Sequence, residues 1–387
     1  MATHRFWKTL TPEGSSSRHY EILQEIASGG MATVYLGSRR GPGGFERIVA
    51  LKRALPPRDG IDPSALLARE AQLASRVHHA NVVSVIDAEV VDGALLLIME
   101  YVEGASLGQL LAAGPIAPRL LARILLDATA GLEAIHATTA EDGTPWNLVH
   151  RDISPQNLLV GVDGVTRVAD FGIATTQCST RSTGMGARRG KPGYMAPEYV
   201  VDGIATASCD IFALSVVAWE ALTGRRLFGG ATTLEQIHEM HQAGVPRPSD
   251  LLPEIGVAWD NFVMRALGRT AVSRYDTAHE FERGLLHACG SDIASRREVA
   301  SFVEHLASEP IWLRRAIVRE RLRESDPAIE AQPASRGRTV QTRPEVPLAK
   351  RAHSSSSDHP TVRIDDLGKL VEGWCNPGRV ARTSGDA

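Results

Sequence analysis

The stretch that decides the fold is His150-Arg151-Asp152-Ile153-Ser154-Pro155-Gln156-Asn157, followed by the apolar run Leu158-Leu159-Val160. Asp170-Phe171-Gly172 begins eighteen residues after Asp152, and Ala196-Pro197-Glu198 follows further on. Each short motif taken singly fits an ordinary turn. Their joint order and spacing does not arise by chance.

Upstream of this region the pattern is strand-like. Glu21–Ala27, Ala32–Ser38 and Ile48–Arg53 are short β-prone runs, split by Gly29-Gly30 and by Gly41-Pro42-Gly43-Gly44. Pro63–Val77 carries Leu66, Leu67, Glu70, Leu73, Ala74 and Val77 at helical spacing. Two more strands fit Val82–Val91 and Ala94–Tyr101, with a hairpin turn at Asp92-Gly93. The segment to residue 102 therefore reads as a small lobe of five strands and one helix. Beyond Gly104 the chain becomes helical: Arg119–His136 is amphipathic, and Asp210–Leu222 is apolar on all sides, as a buried helix requires. Further helices fit Leu234–Gln242, Ala258–Leu267, Thr277–Cys289 and one stretch from Ser295 to Arg323.

Two features of the small lobe bear on chemistry. Gly29-Gly30 between two strands admits close backbone approach to phosphate oxygens, and equally forms a plain hairpin turn. Lys52 stands in the apolar run Val49-Ala50-Leu51-Lys52, where burial is costly without a partner. Glu70, eighteen residues on, is the obvious partner; the other reading is two unrelated surface charges.

Taken together these motifs resemble the protein kinase superfamily, most closely its bacterial Hanks-type serine/threonine members, over residues 20–290. The resemblance implies an α+β bilobal protein kinase fold: a small β-rich lobe with one helix over about 20–102 and a larger, mainly helical lobe over about 103–290. Residues 1–19 would then be a disordered leader, 291–324 a helical extension, and 325–387 a mostly disordered tail too polar to offset its ordering entropy. The implied activity is transfer of the ATP γ-phosphate to serine or threonine hydroxyls of protein substrates, with Mg²⁺. Ile26, Ala27, Ser28, Gly29, Gly30 and Val34 would cover the nucleotide, with Ala50 and Leu159 around its base. Met99 would be the gatekeeper, and Glu100 to Val102 the hinge that binds adenine. Lys52 would hold phosphates and pair with Glu70. Asp152 would receive the acceptor proton, and Asn157 and Asp170 would hold the metal. Glu198 would pair with Arg274, and Asp210 would anchor the catalytic loop.

The sequence departs from the family pattern in two places. Ala27 and Ala32 replace the first and third glycines of the phosphate loop. Ser154 stands where such enzymes carry a lysine two residues after the catalytic aspartate, and Lys191 stands where they carry a threonine before Ala-Pro-Glu. The lysine and the hydroxyl have changed places. One expectation is that Lys191 reaches into the site with Ser154 as its partner; the other is that it points to solvent. Two rival functions follow: a pseudokinase scaffold, and a phosphotransferase acting on small molecules, against which Met195-Ala196-Pro197-Glu198 and Arg274 argue.

Regulation is expected from the segment between Asp170 and Glu198. Arg151 would pair with a phosphate there, at Thr183 first, then Ser182 or Thr180, placed by autophosphorylation in trans through a homodimer. The basic stretch Trp312–Arg323 reads as an amphipathic helix packed on the large lobe, or alternatively as a surface for acidic membrane or a partner. The insert Ala137–Asn147 reads as a surface loop with a turn at Asp142-Gly143. Composition sets the bounds on all this. The 387 residues are 43% hydrophobic and 22% charged, with a net charge of -3, so no nucleic-acid partner is expected. No apolar run approaches the ~20 residues of a membrane span. The N-terminus lacks a signal core and the four cysteines have no metal-like spacing, so a cytoplasmic location is expected.

Overall fold

The computed structural model of the protein describes residues 20–42, 45–57, 62–170, 191–229 and 244–325. The expected leader, the tail, Phe171, Gly172, Cys178, the expected phosphorylation sites and the helix at Leu234–Gln242 lie outside the described residues. A five-stranded antiparallel sheet comes first: β1 (Tyr20–Ser28), β2 (Ala32–Arg40), β3 (Glu46–Ala54), β4 (Val85–Val91) and β5 (Ala94–Glu100), in the order β1-β2-β3-β5-β4. Helix α1 (Pro63–Ala74) packs against it. Asp62 starts α1 by accepting the Ser64 amide at 2.9 Å, and Pro63 at the first position gives up no hydrogen bond.

Strand alternation gives the sheet two different faces. Val49, Leu51, Leu96 and Ile98 form one buried cluster. Ala50, Leu97, Met99 and α1's Leu67 and Ala71 form the other, with Val34, Val102 and Leu159 packed on its edge. The register sets Val34 opposite Lys52, and Ala50 opposite Met99. Val34, Ala50, Lys52 and Met99 thereby reach the same side of the sheet.

The expected strand Val82–Val91 is shorter than anticipated. Val82 leaves the small sheet to form a parallel bridge with Val168, because Val83 donates to the Val168 carbonyl and Val168 to the Asn81 carbonyl, both at 2.9 Å. These backbone bonds fasten the two lobes together.

The second part begins with β6 (Gly104–Ser106), which joins β7 (Leu158–Gly161) and β8 (Thr166–Val168) in a three-stranded sheet. Its helices among the described residues are α2 (Leu107–Leu111), α3 (Pro118–His136), α4 (Pro197–Asp202), α5 (Ala207–Thr223), α6 (Pro248–Leu251), α7 (Val257–Ala266) and α8 (Ala278–Cys289). Residues 208–223 of α5 are all buried, which is why its sequence shows no polar stripe. The insert carries the expected turn, with Gly143 at φ 82° and the Thr144 amide on Asp142.

The extension is not one helix. It breaks at Ala307 into α9 (Arg296–Leu306) and α10 (Ser308–Ser325). Nor is α10 amphipathic: Ile311 and Arg321 are buried, while Trp312, Leu313 and Leu322 are exposed. Its arginines, rather than an apolar stripe, hold it in place. Arg314 donates to the Gly104 carbonyl at 3.1 Å, Arg315 pairs with Glu103, and Arg321 reaches Glu21 on β1. The helix therefore starts against the large lobe, where Ile311 joins the core, and continues to β1 of the small lobe.

Candidate active site

Lys52 lies on β3 with its side chain toward α1. On that helix Glu70 shares the inward stripe of Leu67, Ala71 and Ala74, so it faces the sheet. The lysine Nζ donates to Glu70 Oε1 at 2.8 Å and to Asp170 Oδ1 at 2.9 Å. Burial alone would lower the Lys52 pKa, but the two carboxylates outweigh it and hold the ammonium charged, above its ordinary value. Burial likewise opposes ionisation of Asp170, and Lys52 overcomes it, keeping that carboxyl below the usual carboxylate range.

Asp152 sits on a loop shaped by Asp210 at the start of α5. Asp210 Oδ2 accepts the His150 amide at 2.7 Å, and Oδ1 accepts the Arg151 amide at 2.8 Å. His136 Nε2 lies 2.8 Å from Oδ2. Burial raises the Asp210 pKa, yet the His136 contact and the amides bring it below the ordinary value. These contacts stabilise Arg151 at φ 66°, a left-handed conformation that is costly for any residue but glycine. His150 is fully buried, and desolvation lowers its pKa. Its Nε2 contacts the Ala169 carbonyl at 3.1 Å and its Nδ1 accepts the Asp152 amide at 3.3 Å, so the proton of the neutral ring lies on Nε2.

Asn157 closes the loop. Its Nδ2 donates to the Asp152 carbonyl at 2.7 Å and to Asp152 Oδ2 at 2.8 Å. The Asn157 carbonyl in turn accepts the Ala169 amide at 2.8 Å, joining this loop to the residue before Asp170. With the amide nitrogen committed, Asn157 presents Oδ1 for a cation, and Asp170 presents a carboxylate. Hard oxygen donors in this number suit Mg²⁺, which keeps most of its shell for water and phosphate.

The expected nucleotide residues converge. Val34, Ala50, Met99, Val102 and Leu159 belong to one apolar cluster with Ala169. Glu100 ends β5 at the hinge, and Arg167 Nε approaches its carboxylate at 3.6 Å. Ile26, Ala27 and Ser28 end β1, with Ala27 opposite Val34. Gly29 and Gly30 bridge β1 and β2, and a Cβ at Gly30 would meet nothing within 4 Å. Local packing does not demand that glycine, so space remains for a ligand there.

Lys191 points into the site. Its Nζ donates to Ser154 Oγ at 2.9 Å and stands 3.3 and 3.4 Å from the Asp152 oxygens. Further out, Arg274 is buried and donates to both Glu198 oxygens at 2.7 and 2.8 Å.

Several participants had no signal of their own in the sequence. One is His136, beneath Asp210. Another is the buried pair Tyr194 and Glu220 with the exposed Arg226 over it, in which the Tyr194 hydroxyl donates to Glu220 at 2.7 Å. This trio borders a cavity of about 260 Å³ beside Pro155 and Gln156. Only the apolar context of Glu220, inside an otherwise unbroken buried helix, hinted at it.

Residues 20–301 match the family described as "Protein kinase domain". Tyrosine-protein kinase MasK of Myxococcus xanthus is 35% identical over 69% of this chain and 42% of its own. Serine/threonine-protein kinase PrkC of Bacillus subtilis is 33% identical over 71% of this chain and 41% of its own. Serine/threonine-protein kinase PknE of Mycobacterium tuberculosis is 32% identical over 74% and 50% respectively. The chain thus spans about half the length, or less, of these relatives. The match covers most of the chain, and the chain belongs to the protein kinase family, in its bacterial Hanks-type branch.

Proposed function

We propose that the protein is an ATP-dependent protein kinase that phosphorylates serine or threonine hydroxyls of protein substrates. The observation that carries this is Lys52 held between Glu70 and Asp170, on the same cleft that Asp152 and Asn157 face from below. Phosphoryl transfer asks mainly for positioning and charge neutralisation, and each residue has a part in that. The apolar cluster from Val34 to Leu159 receives the base. Lys52 binds phosphate oxygens. Asp152, steadied through Oδ2 by Asn157, takes the acceptor hydroxyl's proton. Magnesium held by Asn157 and Asp170 would supply further positive charge to the phosphates.

The test is transfer of labelled phosphate from ATP, beside an Asp152→Asn control, with identification of the modified residue type and position. Incorporation that vanishes in the control supports the reading; ATP binding without transfer would favour a pseudokinase scaffold. Phosphotyrosine as the main product would favour a second reading, which the name of the 35% identical relative supports. Label at Thr183, Ser182 or Thr180 that rises with enzyme concentration would support activation in trans between two copies. A cytoplasmic location also belongs to this reading. Burial pushes the Cys209 thiol up to about 11, in keeping with an inert reduced cysteine. Cell fractionation decides it.

A further inference from the structure

We propose that Lys191 is the catalytic cation that contacts the transferred phosphoryl group, and that Ser154 is the positioning residue that seats it. This rests on the kinase reading above and assigns a part of its chemistry.

The backbone of Lys191 is anchored. It precedes a short helical turn, Pro192–Tyr194, whose Tyr194 amide bonds the Lys191 carbonyl at 2.9 Å. Tyr194 is itself buried against Glu220. From this fixed base the side chain crosses 37 residues of sequence to Ser154, whose residue surface is entirely buried. The serine oxygen accepts the ammonium at 2.9 Å.

The contact with Asp152 is of another kind. A dedicated lysine–carboxylate pair closes to ~2.7–2.9 Å on one oxygen. Here Nζ stands astride both oxygens at 3.3 and 3.4 Å and caps neither. Of the ammonium's three donors, the one on Ser154 is held at 2.9 Å, and the long contacts to Asp152 are the ones a phosphate oxygen can displace. Both side chains are open to the cleft, Lys191 at 39% and Asp152 at 26% exposure. Lys52, by contrast, is nearly enclosed and already binds Glu70 and Asp170. Lys191 therefore brings a second positive charge beside Asp152, held by a long ion pair and more open to the cleft than Lys52.

In the transfer step the acceptor oxygen forms a bond to the γ-phosphorus, and the bond from that phosphorus to the β–γ bridging oxygen breaks. ADP leaves with the electron pair, and the acceptor proton passes to Asp152. Negative charge spreads over the oxygens of the moving phosphoryl group, where a preorganised ammonium lowers the barrier. Lys191 is placed to donate to those oxygens while Asp152 takes the proton beside it.

The experiment compares wild type with Lys191→Ala, Lys191→Arg, Lys191→Thr, Ser154→Lys and the double variant Lys191→Thr, Ser154→Lys. Two readouts are taken: kcat and KM for ATP, and the calorimetric affinity ratio of a non-hydrolysable ATP analogue over ADP with Mg²⁺. Lys191→Ala should lower kcat about 100-fold, as loss of one transition-state donor does. Its affinity for ADP should hold and its preference for the triphosphate should disappear. Arginine should restore part of both. The double variant should recover at least about tenfold over either single change, a coupling that independent sites do not show. More than half of wild-type kcat in Lys191→Ala, or an unchanged triphosphate preference, would overturn the proposal. If wild type transfers no phosphate, the kinase reading fails, and the triphosphate preference still decides the lysine's contact. Lys191→Ala decides alone if the Ser154 variants do not fold.

Discussion

Arg321 on α10 donates through Nε and Nη2 to one oxygen of Glu21 on β1, at 3.1 and 2.8 Å, joining residues 300 apart in sequence. The arginine is buried while the glutamate is half exposed, and Glu46 lies 3.9 Å away on β3. With Arg314 and Arg315 at the hinge, the helix spans both lobes by charge rather than by apolar burial.

Replacing Arg321 by alanine should therefore loosen the small lobe more than the large. Because Glu21 is partly screened by solvent, the expected loss is about 1 kcal/mol. Amides of β1 should exchange faster, and those of α5 should not change. Uniform acceleration across the protein would reject a local tether.

The bidentate pair of Arg274 and Glu198 predicts a larger effect. The Arg274 side chain has no exposed surface, stacks on Phe212 and also donates to the Gly268 carbonyl. Arg274→Ala leaves a partly buried carboxylate unpaired and should cost about 3–5 kcal/mol in urea unfolding. A loss under about 1 kcal/mol would show that solvent compensates Glu198.

Gly164 turns β7 into β8 at φ 73°, and a Cβ there would lie 1.8 Å from the Arg296 carbonyl. That hairpin carries Asn157 at one end and Asp170 at the other. Gly164→Ala should destabilise the fold by about 2–4 kcal/mol, from backbone strain and collision together. It should also raise the Mg²⁺ concentration needed for activity. A stable variant with unaltered metal dependence would contradict the close approach of the turn to α9.

Stability should fall on mild acidification because of His150. Burial depresses its folded pKa below the ordinary 6.5, so below that pH the unfolded chain takes up a proton that the folded chain does not. The contribution is complete above 6.5 and is lost as pH falls toward the folded value. The slope approaches about 1.4 kcal/mol per pH unit. The depressed carboxylates Asp170, Glu198 and Asp210 act only below the 3.8 to 4.5 range of their ordinary values, so they do not contribute to this window. Urea unfolding between pH 7.5 and 5.5 should show the slope in wild type and a flatter one in His150→Gln. Equal slopes would assign the effect elsewhere.

The motif residues were legible because their chemistry is carried by residue type and short spacing. Lys52, Glu70, Asp152, Asn157, Asp170 and Arg274 could all be named before any contact was visible. Helix α5 was legible from its unbroken apolar run, and Glu70 from its place in the α1 stripe. Lys191 was left between two orientations, since a lysine stem reaches solvent or cleft from the same backbone. The break at Ala307 had a local signal in Pro310, which fits the first turn of a new helix but not the interior of one continuous helix, and reading a single stretch from Ser295 to Arg323 passed over it.

The sequence by itself determined the family, the order of the elements and the residue types that line the candidate cleft, since periodicity and motif spacing are local properties. The tertiary structure alone decided which way Lys191 points, that His136 sits beneath Asp210, and that α10 crosses to the small lobe. Those outcomes depend on contacts between residues 37, 74 and 300 positions apart. No local pattern encodes such contacts, because the path of the intervening chain sets which distant charges and hydroxyls come within hydrogen-bond reach.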